Sequence, residues 1–108
     1  MLDFAFATEQ EIRAELGKRL REQRLAQGLT QVELAQQAGI STNTLGPLES
    51  KGQCTLESFI RTVMGLGLAD ELQSLFALEI KSIAQMERSE QGKRIRAPRK
   101  SVVTKRPV

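Results

Sequence analysis

The segment from Gln31 to Ser50, which reads QVELAQQAGISTNTLGPLES, decides the fold. Thr30 stands just before it, and Thr30 with Glu33 forms a capping-box pattern, in which each side chain accepts a hydrogen bond from a backbone N–H at a helix start. Gly39 divides the segment, because glycine readily adopts the positive φ that ends one helix and redirects the chain. The pattern predicts a short helix before this glycine and a second short helix after it.

Two short helices joined through a glycine are typical of a helix-turn-helix unit. We predict helices over 31–38 and over about 42–50, the latter capped by Ser41 or Thr42. The apolar positions predicted to face the core are Leu34, Ile40, Leu45 and Leu48, with the small Ala35 where the helices approach each other. The opposite face of the later helix carries Ser41, Thr42, Asn43, Thr44, Gly46 and Pro47. Small polar side chains of this kind suit a surface that lies against base edges of duplex DNA.

Pro47 is out of keeping with a regular helix. Proline has no backbone N–H, and its ring clashes with the carbonyl four residues earlier, which here belongs to Asn43. Gly46 weakens the helix further, by about 1 kcal/mol relative to alanine. We therefore expect this helix either to start late or to be distorted, which limits how deeply it reads bases. Pro47 itself offers an apolar contact to a thymine methyl group.

Helical patterns also flank the central segment. A capping box at Thr8 and Glu11, followed by Ile12, Leu16 and Leu20 on one face, predicts a helix over about 8–27 that Gly28 ends. After the loop SKGQC, Thr55 caps a fourth helix that ends near Gly65 and Gly67. Its predicted buried face consists of Leu56, Ile60, Val63 and Met64.

A fifth helix is predicted from about Asp70 to Ser89, with a break near Ala77 as an alternative. Its apolar positions, at spacings of three and four residues, are Leu72, Leu75, Phe76, Ile80, Ile83 and Met86. We expect the first half to close the core and the second half to form a homodimer seam. Residues 2–7, LDFAFA, alternate weakly, as in a strand that pairs with a partner chain. Phe4 and Phe6 either pack on the body or join the dimer interface.

Composition narrows the function. The 108 residues include no His and one Cys, which removes histidine-based catalysis and a thiolate–imidazole metal cage. We therefore expect a binding protein with no catalytic, metal or cofactor site rather than an enzyme. Cys54 has no partner for an internal disulfide, which favours a cytoplasmic location. No apolar run approaches the roughly 20 residues that span a bilayer, so we expect no membrane partner.

Charge is unevenly distributed along the chain. Residues 1–87 carry 8 Lys/Arg and 12 Asp/Glu, whereas residues 88–108 carry 8 Lys/Arg and Glu90 alone. We predict an N-terminal arm over 1–7, a DNA-binding and dimerisation domain over 8–90, and a basic disordered tail over 91–108. The tail is either a solubilising appendage or an arm that contacts phosphates.

Two stretches of sequence carry a family resemblance. RLREQRLAQGLTQVELAQQAGIS over 19–41 and TLESFIRTVMGLGL over 55–68 resemble the Xre/Cro family of lambda-repressor-like helix-turn-helix regulators. The loop and helix that begin at SKGQC look most similar to HipB-type proteins. The resemblance covers about residues 12–76. It implies an all-α, five-helix domain that dimerises and binds palindromic double-stranded DNA.

The resemblance also implies roles for individual residues. Gln31 matches a glutamine that touches a phosphate and braces the third helix, although an exposed surface role stays open. Arg24 and Glu49 match an ion pair between the first and third helices. The full set of candidate DNA-binding residues is Thr30, Gln31, Ser41, Thr42, Asn43, Thr44, Pro47 and Lys51. In this set, Thr42 and Asn43 match base-reading positions, Ser41 and Thr44 match phosphate or base contacts, and Lys51 is either a phosphate contact or a solvated lysine.

The sequence thus predicts a homodimeric transcriptional regulator, such as a repressor that occupies a promoter. One alternative is an antitoxin-like protein that neutralises a partner toxin and regulates its own promoter. A further alternative is an interaction module without DNA binding, which would follow if Gly46 and Pro47 destroyed the third helix.

Overall fold

The computed structural model describes residues 2–78. The chain divides into two units, Met1–Leu75 and Phe76–Val108, and the second is described only over 76–78. The described part is helical and contains no strand. Its α-helices are α1 (Glu9–Ala26), α2 (Gln31–Ala38), α3 (Thr42–Lys51) and α4 (Leu56–Gly65), with 3-10 turns at Phe4–Phe6 and Ala69–Leu72.

Local capping explains where the helices begin. The capping boxes predicted at Thr8 and Thr30 are both present, with the side chains of Glu11 and Glu33 closing them. At the start of α4, the Thr55 side chain accepts a hydrogen bond from the Ser58 N–H. Each cap satisfies an N–H that has no partner within its helix, so the starts of these helices follow from short-range sequence.

The start of α3 settles one of the expectations about Pro47. Ser41, rather than Thr42, is the cap, and the helix runs from Thr42 through Pro47 to Lys51. A late helix start is therefore wrong. The alternative of an interaction module with a destroyed third helix loses its premise, because α3 forms despite Gly46 and Pro47.

The core lies where all four α-helices meet. Leu34, Leu45 and Leu48 are at most 1% exposed, and Leu20, Ala35, Val63 and Leu66 complete the buried cluster. Partly buried Ile40 packs against it. The predicted inward positions of α2 and α3 are thus confirmed. Burying side chains of this size contributes about 1.5–3 kcal/mol each, which makes this cluster the main source of stability.

Glycines set how closely α1 and α3 approach each other. A Cβ atom on Gly17, in α1, would overlap the carbonyl oxygen of Leu48 and lie 3.1 Å from the Gly52 backbone nitrogen. Gly52, which follows α3 at φ +69°, would in turn meet the carbonyl of Arg13. The two backbones touch here because neither position carries a side chain.

The predicted buried face of α4 is wrong at three of its four positions. Val63 is buried, but Leu56 is 73%, Ile60 37% and Met64 60% exposed. The helix instead turns Thr62, Val63 and the partly buried Phe59 towards the core. Leu56, Ile60 and Met64, at successive spacings of four residues, form an exposed apolar stripe, which we call the α4 stripe.

Both ends of the described chain differ from the prediction. The segment expected to be a strand at residues 2–7 contains the 3-10 turn Phe4–Phe6, in which Phe4 lies 5.1 Å from the Arg19 guanidinium and Phe6 is exposed. A fifth α-helix does not begin near Asp70, because Ala69–Leu72 is a 3-10 helix followed by a turn. The predicted dimer seam, the boundary at residue 90 and the basic tail lie outside the described residues.

Candidate nucleic-acid interface

A buried ion pair fixes α3 against α1. The Arg24 guanidinium donates two hydrogen bonds to the Glu49 carboxylate, Nε to Oε2 at 2.7 Å and Nη2 to Oε1 at 3.1 Å. The two side chains are only 8% and 1% exposed. Arg24 also donates through Nη1 to the carbonyl of Leu29, at 2.8 Å. A bidentate pair of this kind fixes orientation as well as distance, so it sets how α3 is presented.

Gln31 extends this network to α2. Its side-chain Nε2 donates to Glu49 Oε1 at 3.0 Å. Glu49 therefore links α1, α2 and α3. The predicted bracing role of Gln31 is present, and its amide retains a second N–H for another acceptor, such as a phosphate oxygen. Gln31 lies beside the second half of α3, because Glu49 is seven residues, or about 10 Å, beyond Thr42 along the helix.

At the first turn of α3, two hydroxyl groups are hydrogen-bonded to each other, whereas two other polar side chains form no hydrogen bond with any described residue. The Ser41 hydroxyl accepts from the Thr44 N–H at 3.1 Å and also pairs with the Thr44 hydroxyl at 3.0 Å. Ser41 and Thr44 therefore spend part of their hydrogen-bonding capacity on the cap. Thr42 and Asn43 are exposed, and neither side chain forms a hydrogen bond within the described part of the chain. They are the polar side chains of this turn that are most available to a partner.

Gly46 and Pro47 continue the same face of α3. Pro47 is exposed, and a Cβ atom added at Gly46 would meet nothing within 4 Å. Leu45, Leu48 and Glu49, on the other face, are buried. Around Gly46 and Pro47, the outward face of α3 therefore carries few side-chain atoms.

The remaining candidate residues lie apart from this face. Thr30 is exposed, and its hydroxyl oxygen accepts from the Glu33 N–H at 3.1 Å. Lys51 is the last residue of α3, at the opposite end from Ser41, and its carbonyl accepts from Arg13 at 3.5 Å. The candidates thus fall into two groups, one on the first turns of α3 and one around the start of α2, with Lys51 at the far end of α3.

Arg61 is a candidate that the sequence analysis missed. Its guanidinium lies beside the turn between α2 and α3, where a Cβ on Gly39 would be 3.2 Å from Nη1. Arg61 also pairs with Glu57 at 3.0 Å, and its side chain is half exposed. The spacing of four residues between Glu57 and Arg61 signals the ion pair, but no local pattern signals the neighbouring turn.

Other features of the described residues lie away from the outward face of α3. The groove formed by residues of α1, α3 and α4 has a volume of about 320 Å³ and a mainly apolar lining that includes Leu16, Leu48 and Phe59. Cys54, an exposed residue, also lines it, and its partial burial raises the pKa of the thiol. Within residues 2–78 no cluster of metal-ligating side chains occurs. None of the described helices has the length and apolarity needed to cross a membrane.

Comparison with known proteins agrees with the geometry of α2 and α3. The model of a family described as a helix-turn-helix domain matches residues 15–75, more than half of the chain. Those residues include α2–α4 and most of α1. No curated protein matches the sequence.

Proposed function

The chain belongs to the helix-turn-helix domain family, and on that premise we propose that it is a sequence-specific regulator of transcription that binds double-stranded DNA as a homodimer in the cytoplasm. The observation that carries the proposal is the outward face of α3. This face is exposed and bears short polar groups, while the opposite face is buried and held by the Arg24–Glu49 pair. A rigid helix with one free polar face fits the major groove.

Each group of candidate residues has its own role in this proposal. Thr42 and Asn43 read base edges, and Pro47 contacts a thymine methyl group. Ser41 and Thr44 contact phosphates or bases with the hydrogen-bonding capacity that the cap leaves. Thr30, Gln31 and Lys51 contact phosphates, which position the protein without reading sequence. The residues with these roles belong to a domain over 8–90, preceded by an arm over 1–7 and followed by a tail over 91–108 that adds phosphate contacts.

Variants of the base-reading residues and of a phosphate-contacting residue test these proposed roles. Replacing Thr42 and Asn43 by alanine should reduce discrimination between sequences, by about 1–3 kcal/mol for each base that the variant no longer reads. Gln31→Ala should weaken binding to all duplexes alike. Gln37→Ala is the matched control, because Gln37 is exposed on α2 but lies away from Gln31 around the helix. Selection of bound duplexes from a random pool, followed by titration, measures both effects. Unchanged preference in the Thr42/Asn43 variant would contradict the reading role.

The homodimer rests on the apolar positions of the sequence beyond Phe76. Ile83→Glu should yield monomers, because it would place a charge without a partner in an apolar seam. Lys81→Glu changes charge nearby without touching an apolar position and should leave the dimer intact. Light scattering at micromolar concentration distinguishes the two states. A monomeric wild-type protein would contradict the dimer. In the dimer, we expect half-sites about 34 Å apart.

The α4 stripe favours a second candidate function, that of an antitoxin-like protein. Leu56, Ile60 and Met64 form an exposed apolar surface on a helix outside the α2–α3 unit, and such a surface suits a protein partner. The partner would be a toxin encoded beside this chain. Met64→Lys should then weaken the complex with that toxin and leave DNA binding unchanged. Equal toxin binding by wild type and Met64→Lys would remove this support.

A further inference from the structure

Pro47 leaves one backbone acceptor of α3 without its helical donor. In an α-helix the N–H of each residue donates to the carbonyl four residues earlier. Proline has no N–H, and Pro47 stands inside α3, which begins at Thr42. The carbonyl that lacks a donor for this reason is that of Asn43.

No side chain of the described residues takes the place of that donor. The side-chain hydrogen bonds near the start of α3 join Ser41 to Thr44 and do not reach the Asn43 carbonyl. Asn43 and Pro47 are both exposed. Because both residues are exposed, water can donate to the Asn43 carbonyl until a partner displaces it from this face. A partner that does so must supply a donor.

The acceptor lies on the outward face of α3. Asn43, Gly46 and Pro47 stand at spacings of three and four residues and thus share one side of the helix. Gly46 has no side chain, and the space that its Cβ would enter is open. A flat partner can therefore approach the backbone here more closely than at an ordinary helix position.

We propose that the main-chain carbonyl of Asn43 reads a base by accepting a hydrogen bond from an exocyclic amino group, N4 of cytosine or N6 of adenine, in the major groove. These amino groups are the donors that bases present there. The inference rests on the proposed DNA binding and adds a specificity element that no side chain supplies. Pro47 acts by keeping the acceptor free, and Gly46 acts by keeping it accessible.

Three variants distinguish the effect of the Asn43 carbonyl on base recognition from the effects of the groups around it. Pro47→Ala restores an N–H that occupies the Asn43 carbonyl. Asn43→Ala removes the side chain but leaves Pro47 in place and the carbonyl free. Gly46→Ala keeps the acceptor free but adds a methyl group where the base approaches. Circular dichroism should show that all three remain helical, since alanine favours helix at these positions.

The experiment uses the full chain and a duplex obtained by selection from random DNA. At each preferred cytosine or adenine, the base is replaced by an analogue that lacks the exocyclic amino group. Wild type and Asn43→Ala should each bind about threefold to tenfold more weakly at one common position, the range of a single hydrogen bond. Pro47→Ala should show no such weakening there, and Gly46→Ala should bind both duplexes more weakly than wild type.

The outcomes distinguish this inference from the function on which it rests. If wild type and Pro47→Ala discriminate equally at every position, or if Asn43→Ala abolishes the discrimination, the carbonyl is not the reader, although sequence-specific binding stands. If wild type binds all duplexes alike, both the proposed function and this inference are overturned.

Discussion

The two ten-residue helices α3 and α4 show opposite relations between sequence and packing. α3 contains Gly46 and Pro47, both of which oppose helix formation, yet Leu45, Leu48 and Glu49 are buried. α4 has no such interruption, yet it leaves the α4 stripe exposed. Its Thr55 cap and apolar face are sufficient signals for a helix. Both helices are too short to be stable alone and need packing against their neighbours, but α3 needs it more, because its own sequence opposes a helix at two positions.

The difference has a functional reading. Because the packing of α3 against the rest of the domain holds its inward side, its outward side is free of the need to promote helix formation. Positions there can carry a glycine and a proline that serve another purpose. The following predictions test whether packing or local sequence governs each helix.

The largest difference in stability is expected between the alanine variants of two glutamates that both pair with arginine. Glu49→Ala, in α3, would leave the Arg24 charge buried without its partner, at a cost of about 3–5 kcal/mol in the free energy of unfolding. Glu57→Ala, in α4, breaks an exposed pair with Arg61 and should cost at most about 1 kcal/mol. Chemical denaturation measures both. Similar losses of stability in the two variants would contradict the comparison.

Pro47→Ala should stabilise the protein, by up to about 3 kcal/mol, because it restores a hydrogen bond within α3 and removes a ring clash. Ser50→Ala, at an exposed position of the same helix, is the control and should change stability by no more than about 0.5 kcal/mol. The midpoint of thermal unfolding gives the direction of each change. A destabilised Pro47→Ala variant would show that α3 has adapted its packing to the proline.

Two helical glycines should respond to alanine in opposite directions. Gly17→Ala would force a Cβ into the Leu48 carbonyl and should destabilise the protein by about 1–3 kcal/mol. Gly46→Ala places its Cβ in open space and should stabilise it by up to about 1 kcal/mol. Denaturant titration of the two variants, with wild type alongside, is the measurement. Reduced stability in both would mean that the outward face of α3 is not free.

The smallest effect is expected in the α4 stripe. Met64→Lys places a charge at a position that is 60% exposed, so stability should change by no more than about 0.5 kcal/mol. Urea denaturation at low protein concentration tests this. A decrease above about 2 kcal/mol would mean that the stripe is covered in the folded protein.

Short-range signals in the sequence predicted much of the domain correctly. The caps at Thr8, Thr30 and Thr55 depend on residues three positions apart, and each helix begins where its cap predicts. The turn at Gly39 is also confirmed, with φ +72°. Such signals act within a single turn and need no knowledge of the tertiary fold.

The sequence was less informative about which side of a helix is buried, because that depends on the neighbouring helices. An apolar stripe such as Leu56, Ile60 and Met64 shows that one side of α4 is hydrophobic, but it does not show what covers that side. The inward side of α4 includes Thr62, which is fully buried and donates to the Ser58 carbonyl at 2.8 Å. For the candidate interface, the resemblance implied the Arg24–Glu49 pair and the bracing of the third helix by Gln31. The identity of Glu49 as the partner of Gln31 and the position of Arg61 emerge only when the helices are assembled.

Because of the Arg24–Glu49 pair, the stability of the fold and the affinity for the proposed DNA ligand should respond differently to ionic strength. Dissolved ions screen buried charges much less than exposed ones, so added salt should barely weaken a pair whose side chains are 8% and 1% exposed. Binding to duplex DNA, in contrast, weakens steeply as salt competes for the phosphates. A high-salt wash should therefore release the protein from DNA with α1, α2 and α3 still locked together, ready to bind again when the salt is removed.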